Sequence, residues 1–479
     1  MSQILSIARA ELIYMRRSRL TLIAAGVFAL CLCFAALTSA MLFSVEQTHR
    51  QAHQSEADAI FASQPDRHPH RMVHYGQYVF RSPAPLAAID PGLDAYGGTT
   101  VFLEGHRQNA PMFAGAAEGK APPRFGQLTP AFVLQVLAPL LIILAGFSLI
   151  TRERESGTLS AAMAQGVSLR TLALGKSLVL GLLIAACLLP VAALGILKVA
   201  RGEETAVIAA TVCAAYGGYL LIWALMTVSV SMLVKRGATA LLALSALWLA
   251  STVLAPRLAG DVAAQIAPLK TAFERDLSLQ VALNSLGDSH DPKDPIYGPF
   301  RQKILAKYGV SKVEDLPVNY RGLLAQEGER RSGEVLARFN REDMDARLEQ
   351  QRWVESARYL SPMVATQSAS QSLVGTDLRS YHRFLAAAEE HRMAFVQTLN
   401  GLHATELDYK LDKMRSVDVE AAKATRVASD TWANLPQFSF TQAPSSERLA
   451  AAIPQLVVIS LWCGVLMAVF FWSSRQPAP

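Results

Sequence analysis

Six of the ten histidines fall early in the chain, at His49, His53, His68, His70, His74 and His106. Imidazole is a common ligand for zinc, copper and related ions. His49 and His53 are four residues apart and share one face of a helix, and His68, His70 and His74 are close neighbours. No Cys or Met completes a tight constellation, and prolines crowd the stretch, so solvated histidines and no bound metal are the expectation. Asp288, His290, Asp291 and Asp294 form a second acidic and imidazole group, but their Gly-Asp and Asp-Pro pairs read as turns. Leu174-Gly175-Lys176-Ser177 invites a nucleotide-binding reading. A phosphate-cradling loop needs a further glycine five positions before Gly175, and Arg170 stands there. Neither a His-Glu-x-x-His nor a Gly-x-Ser-x-Gly signature is present. Enzymatic chemistry and a cofactor are therefore not expected of this chain.

The elements that carry these residues are mostly apolar. Of 479 residues 51% are hydrophobic and 18% charged, against roughly a quarter charged in ordinary soluble domains. The apolar residues are clumped. Residues 20–44, 129–150, 177–197, 206–234, 237–256 and 451–474 contain no Asp, Glu, Lys or Arg. A hydrocarbon core of about 30 Å takes about 20 helical residues, and a charge at a helix centre costs about 2.5–3.5 kcal/mol on insertion scales. Six spans of an all-α, multi-pass membrane protein follow. All five cysteines, Cys31, Cys33, Cys187, Cys213 and Cys463, lie inside these runs and read as small buried hydrophobes rather than a disulfide framework. The first run is too long for the apolar core of a signal peptide, about 7–15 residues, and reads as a retained anchor.

Basic residues set the expected orientation. Arg9, Arg16, Arg17, Arg19, Arg152, Arg154, Arg170, Lys176, Lys235, Arg236 and Arg475 crowd the short segments on one side. On the other side Arg50, Lys120, Arg124, Lys198, Arg201, Arg257, Lys270 and Arg448 are spread over longer stretches. The positive-inside rule then puts both termini in the cytoplasm. Residues 1–19 read as an amphipathic helix on the inner surface, with Ile4, Leu5, Ala8, Leu12 and Met15 on one face and Glu11 intruding at its edge. Two extracytoplasmic regions are expected, 45–128 and 257–450. The first is punctuated by Pro65, Pro69, Pro83, Pro85, Pro91, Pro111, Pro122 and Pro123 and should be loop-rich or made of short strands. The second should be mostly helical, notably over Glu329–Tyr359 and Leu378–Met414. Trp432, Pro436, Phe438 and Phe440 precede the last span, where aromatics anchor a chain at the membrane interface.

Between the second and third spans lies a charged cytoplasmic loop, residues 151–176. It begins Thr151-Arg152-Glu153-Arg154-Glu155-Ser156-Gly157-Thr158-Leu159. Ser156 can cap a short helix starting at Gly157 or Thr158, and Leu159, Met163 and Val167 then recur every four residues. Such a helix would offer an apolar stripe flanked by fixed charges to a soluble partner.

The order of these elements resembles the coupling loop of type-2 ABC exporter permeases: a Glu-rich Ser-Gly-Thr-Leu element, a Val-Ser-Arg-like element (Val167, Ser168, Arg170), and Gly175-Lys176 entering the third span. Gly166 stands where that family commonly has Pro, and Leu169 is inserted before Arg170. Tyr359-Leu360-Ser361-Pro362 and Gly375-Thr376-Asp377 resemble elements of a bacterial subfamily with long external insertions. The resemblance implies a permease in the bacterial inner membrane, paired with a second permease chain and driven by a separate ABC ATPase subunit. ATPase coupling would fall to Glu153, Glu155, Ser156, Gly157, Thr158, Leu159, Met163 and Arg170. It also implies movement of the second and third spans, where Pro139 and Pro190 read either as bending points or as core packing beside neighbouring helices.

Two other classes compete. An ion-coupled carrier usually places ionisable residues inside its spans, and these runs have none. A membrane-anchored sensor or scaffold would use the two large external regions to bind a ligand. Basic residues border membrane segments rather than forming patches with interleaved aromatics, so nucleic acid is not an expected partner; membrane lipid is.

Overall fold

The computed structural model describes residues 2–112 and 127–476. Lys120, Arg124, Pro122 and Pro123 lie outside the described residues. Among the described residues six helices are long and apolar enough to cross a membrane: α2 (Arg19–Ala62), α4 (Pro130–Glu155), α6 (Leu169–Ala200), α7 (Ala206–Leu233), α8 (Gly237–Ile266) and α17 (Ser445–Ser473). Each contains one of the charge-free runs or most of it, and most continue beyond the run into charged sequence. A short helix, α1 (Ser2–Arg17), precedes them.

Helix α7 is the axis of the bundle. Tyr216, Tyr219, Leu220 and Trp223 are fully buried on it, and Val133, Leu134, Ile142 and Leu180 of neighbouring spans share the same core. Helix α2 shows the opposite pattern. Leu20, Ile23, Val27, Leu30 and Phe34 are exposed along it, an apolar outer face suited to hydrocarbon rather than water. Two spans carry a widened turn just ahead of a proline, Val133–Leu137 before Pro139 and Leu249–Leu254 before Pro256. A π-bulge next to a residue that cannot donate its backbone N–H is a recognised way for a helix to bend. Pro190 sits inside the continuous α6.

Alternation of six spans places both termini and the 151–168 loop at one end of the bundle, hereafter the loop end. Both long insertions emerge at the other. The loop-rich expectation for the first insertion is corrected at its start, because α2 runs unbroken to Ala62. It then gives a short α3 (Pro69–Tyr75) and an antiparallel pair, β1 (Gln77–Phe80) and β2 (Thr100–Leu103), with Gln77 opposite Leu103. The second insertion is helical, as its apolar spacing indicated. It comprises α9 (Ala272–Asn284), α10 (Gly298–Tyr308), α11 (Tyr320–Ser356), α12 (Pro362–Val374), α13 (Leu378–Glu406), α14 (Tyr409–Met414), α15 (Val419–Ala424) and α16 (Asp430–Ala433).

The two insertions share a core. Phe61, Met72 and Val73 pack with Phe395, Val396 and Leu399, while Val79, Val101 and Leu103 of the hairpin pack on Phe384 and Ala388 of α13. The aromatics before the last span belong to this packing rather than to an interfacial belt. Trp432 is buried and its indole N–H donates to the Pro65 carbonyl, while Phe438 and Phe440 lie edge-on to Phe384. Helix α12 enters the bundle itself. Ala365 and Ala369 are buried against Ala215, Ile222, Val458 and Ile459 of α7 and α17. At its start the Ser361 hydroxyl donates to the Ser251 carbonyl, about 21 Å along α8 from Gly237 at 1.5 Å per residue.

Candidate functional site

The charged loop folds as a clasp, and each of its four consecutive charges reaches a different helix. Arg152 donates to both carboxylate oxygens of Glu11 on α1, at 2.8 and 3.1 Å, and its guanidinium lies 3.5 Å from the Tyr14 ring centroid. Glu153 accepts from Lys176 of α6 at 2.6 Å, and Lys176 also donates to Glu11 at 2.8 Å. Arg154 donates to the carbonyls of Met232 and Val234, which end α7. Glu155 accepts from the backbone N–H of Gly237, at 2.9 Å, which starts α8. A cation on terminal carbonyls and a carboxylate at a helix start both match the end charges of a helix.

Glu11 and Lys176, neither of them among the residues expected to couple to an ATPase, are the most buried members of this set. Both are less than 5% exposed. Burial of charges is tolerated here because two acids and two bases, Glu11, Glu153, Arg152 and Lys176, neutralise one another at hydrogen-bond distance. Close helix approach makes it possible. A Cβ on Gly175 would lie 2.7 Å from the Ile7 Cβ of α1 and 3.0 Å from the Ile4 carbonyl oxygen. Glu11, which the helical wheel put at the edge of an apolar face, is thus what ties α1 to the third span.

The loop helix itself, α5 (Thr158–Ala164), starts where the sequence indicated but is capped differently. Gly157 occupies the cap with φ +76°, and no side chain caps the helix. The Ser156 hydroxyl instead meets the Glu153 carbonyl and the Thr158 hydroxyl. The expected apolar stripe does not form on one exposed face. Leu159 is buried in the bundle core, Val167 lies beyond the helix and packs against that core, and Met163 is exposed. Arg170 stacks on Phe471 of α17, 4.8 Å from the ring centroid. What α5 shows to solvent is a small-residue surface, Thr158, Ser160, Ala161 and Ala164, with Met163 and Gln165 at its border. Gly166, where Pro was expected from the resemblance, has φ +84°. Proline's ring fixes φ near −65°, so this turn excludes it.

At the insertion end the expectation of solvated histidines holds for part of the set: His49, His53 and His74 are exposed, whereas His68 is buried and His70 and His106 are half-buried. His49 and His53 do share one face of α2, with ring centroids 6.1 Å apart. They border a cavity of about 620 Å³, also lined by Phe43, Arg50, Phe80 and Asp94. His68 is buried at the start of α3. Its Nδ1 accepts from the His70 backbone N–H, so its Nε2 carries the proton it donates to Asp412, 3.1 Å away. Asp412 further accepts from His403 and Asn319 and pairs with Arg415. Burial alone would raise its pKa, but these bonds outweigh that and hold it well below the usual carboxylate range. Burial lowers His68 to about 4.

Beside this group, ring nitrogens of His70, His74, His106 and His290 all lie within 4.8 Å of one another. Burial first, then the adjacent His74, lowers His70 to about 2. These four imidazoles come from three stretches of chain, and the turn of Asp288–Asp294 supplies the last of them, as Asp291 and Asp294 N–H bonds back to Asp288 and Asp291 attest.

The fold and the clasp define a helical protein with six helices of membrane-crossing length and apolarity. Residues 270–441 match a family described as a domain of unknown function (DUF3526). This stretch includes His290, His403 and Asp412 but neither the clasp nor any of the six long helices. No curated protein matches the chain.

Proposed function

We propose that this chain is the membrane-spanning permease subunit of a transporter whose ATP is hydrolysed by a separate ABC ATPase subunit. The loop end faces the cytoplasm of a bacterial inner membrane, both insertions lie outside, and a second permease chain completes the path. The observation that supports this most is the clasp. An exposed helix, α5, is hung on a segment bonded to α1 and to the facing ends of α6, α7 and α8. A push on α5 is therefore delivered to several helix ends at once rather than absorbed in a loop. The resemblance in the order of loop motifs supports the partner's class. Export is the direction the resemblance implies.

The burial pattern also fixes how to test it. Glu153 and Glu155 are engaged within the chain, so replacing them would disturb folding as well as docking. Ala161 and Ala164 are exposed, and their small side chains leave room for a partner's surface. With the cognate ATPase co-reconstituted, Ala161→Trp and Ala164→Trp should each lower chain-dependent ATP turnover at least fivefold while thermal unfolding in detergent stays unchanged. Wild-type turnover in both variants would rule the docking assignment out. The chain alone should hydrolyse no ATP. A second reading, a membrane-anchored sensor, is favoured by one observation, the converging histidines at the insertion end. It predicts no ATPase dependence at all.

A further inference from the structure

We propose that His70, His74, His106 and His290 form a binding site for one divalent transition-metal ion of the zinc class, bridging the two insertions.

The geometry of the ring nitrogens carries this inference. A tetrahedral zinc site with Zn–N bonds of about 2.0–2.1 Å requires nitrogens about 3.3–3.4 Å apart. His70 and His74, one helical turn apart on α3, already place their Nε2 atoms 3.3 Å from each other. His106 and His290 close the other side, with ring centroids 4.8 Å apart and 5.1–5.8 Å from that of His70. Four nitrogens within 4.8 Å need only small rotations about side-chain bonds to enclose one ion.

Two of the ligands are already oriented from behind. The His106 Nδ1 is 3.4 Å from Glu329, and the His290 Nδ1 is 3.1 Å from Asp288. A carboxylate on the far nitrogen fixes the ring and raises the basicity of the nitrogen left over, the usual support for a metal-bound histidine. The His106 Nε2 is buried and has no hydrogen-bond partner among the described residues. A buried polar atom without a partner needs a reason, and an ion supplies one.

The backbone is arranged to the same end. Among the described residues His106 is the one non-glycine residue with positive φ, at 67°. A strained conformation of that kind persists where its surroundings over-determine it. The preceding Gly105 lets the turn sit against α3, because a Cβ there would lie 2.2 Å from a Val73 methyl. On α11, Gly328 admits Ser289 so closely that a Cβ would lie 2.3 Å from the serine's own. One helical dipeptide, Gly328-Glu329, thus seats the turn that carries His290 and holds the ring of His106. Four neutral imidazoles and no thiolate suit zinc, copper(II) or nickel rather than calcium or magnesium, which prefer oxygen. The tetrahedral spacing of the first pair favours zinc.

The test uses the full chain, purified with a histidine-free tag, stripped with chelator and titrated with Zn²⁺. Calorimetry and elemental analysis after desalting should give one zinc per chain, and X-ray absorption should show a nitrogen-only first shell. The doubly substituted His74→Ala/His290→Ala chain, altered at the two most exposed ligands, should lose at least 100-fold in affinity. His49→Ala/His53→Ala removes as many histidines elsewhere in the insertions and should bind as wild type. Equal zinc binding by both double variants, or none by the wild-type chain, would overturn the site. Tighter binding of Cu²⁺ with a tetragonal signature would overturn the zinc assignment.

Discussion

The clasp at the loop end and the histidine cluster at the insertion end are both groups of polar side chains drawn from distant parts of the chain. They differ in their accounts of charge and hydrogen bonds. In the clasp every charge of Arg152–Glu155 has a protein partner, and acids balance bases among Glu11, Arg152, Glu153 and Lys176. In the histidine cluster the carboxylates stand behind two of the rings, and the converging nitrogens are left with little but each other. Next to it, His68, His403 and Asp412 look similar in composition, yet both rings are bonded to the Asp412 carboxylate, and the His403 Nδ1 alone is left buried without a partner among the described residues. Composition does not separate a structural cluster from a ligand site; several ring nitrogens converging on one point without a carboxylate between them do.

The largest expected effect breaks the satisfied side. Lys176→Met leaves Glu11 buried with one partner fewer, and unpairing a buried charge typically costs about 3–5 kcal/mol. A fall of that order should appear as early thermal unfolding in lipid nanodiscs, and Glu11→Gln introduced with it should recover part of the loss. A double variant no better than Lys176→Met would mean that the clasp is not a charge-balanced unit.

A smaller effect follows from pH at the insertion end. His68 is lowered to about 4 from an ordinary 6.5, so between these values the unfolded chain binds the extra proton and the folded one does not. Stability contributed by neutral His68 is therefore complete above pH 6.5 and lost as pH falls toward 4, by on the order of 3 kcal/mol. His70 and His74, both also lowered, act with the same sign. Asp412 is held ionised and adds its own loss only below the ordinary carboxylate range. Hydrogen exchange of α3 and α14 in chelator, corrected for the intrinsic slowing of amide exchange in acid, should accelerate from pH 7 to 5 while the long helices stay protected. Equal acceleration everywhere would tie the change to the bundle instead.

The smallest effect sharpens the contrast. In metal-free protein His290→Ala should shift stability by no more than about 0.5 kcal/mol, as for an exposed side chain. A large loss, measured by the same thermal unfolding, would make His290 a structural residue like His68.

The sequence made the long helices legible because an absence of charge over twenty residues is a local property. The charged loop stood out for the same reason. Its partners did not, since Glu11 lies 141 residues from Arg152 and 165 from Lys176; only the close pass at Gly175 brings them together. Ser156 was a sound capping residue by type, but Gly157 can take the left-handed conformation that ends one helix and begins the next. Histidines were visible singly and His290 was read with its acidic neighbours. What escaped was that a turn beyond the fifth span folds back onto α3, and that His106 adopts a conformation rare for any residue but glycine. Trp432 was read by its nearness to a span, whereas its pocket is built by residues some 370 positions earlier.

Helix α2 has a mechanical consequence. It runs from Arg19 to Ala62 without a proline, 44 residues in all. At 1.5 Å per residue it is a strut of about 66 Å. Its lower end adjoins α1, which the clasp holds through Glu11, and its upper end is seated by Phe61 on Phe395, 5.4 Å between ring centroids. A tilt of about 5° pivoting at Arg19 would sweep Phe61 through roughly 5–6 Å, given that length. The strut therefore has the proportions of a lever: a tilt of a few degrees about the loop end would become, at the far end, a stroke as large as a side chain.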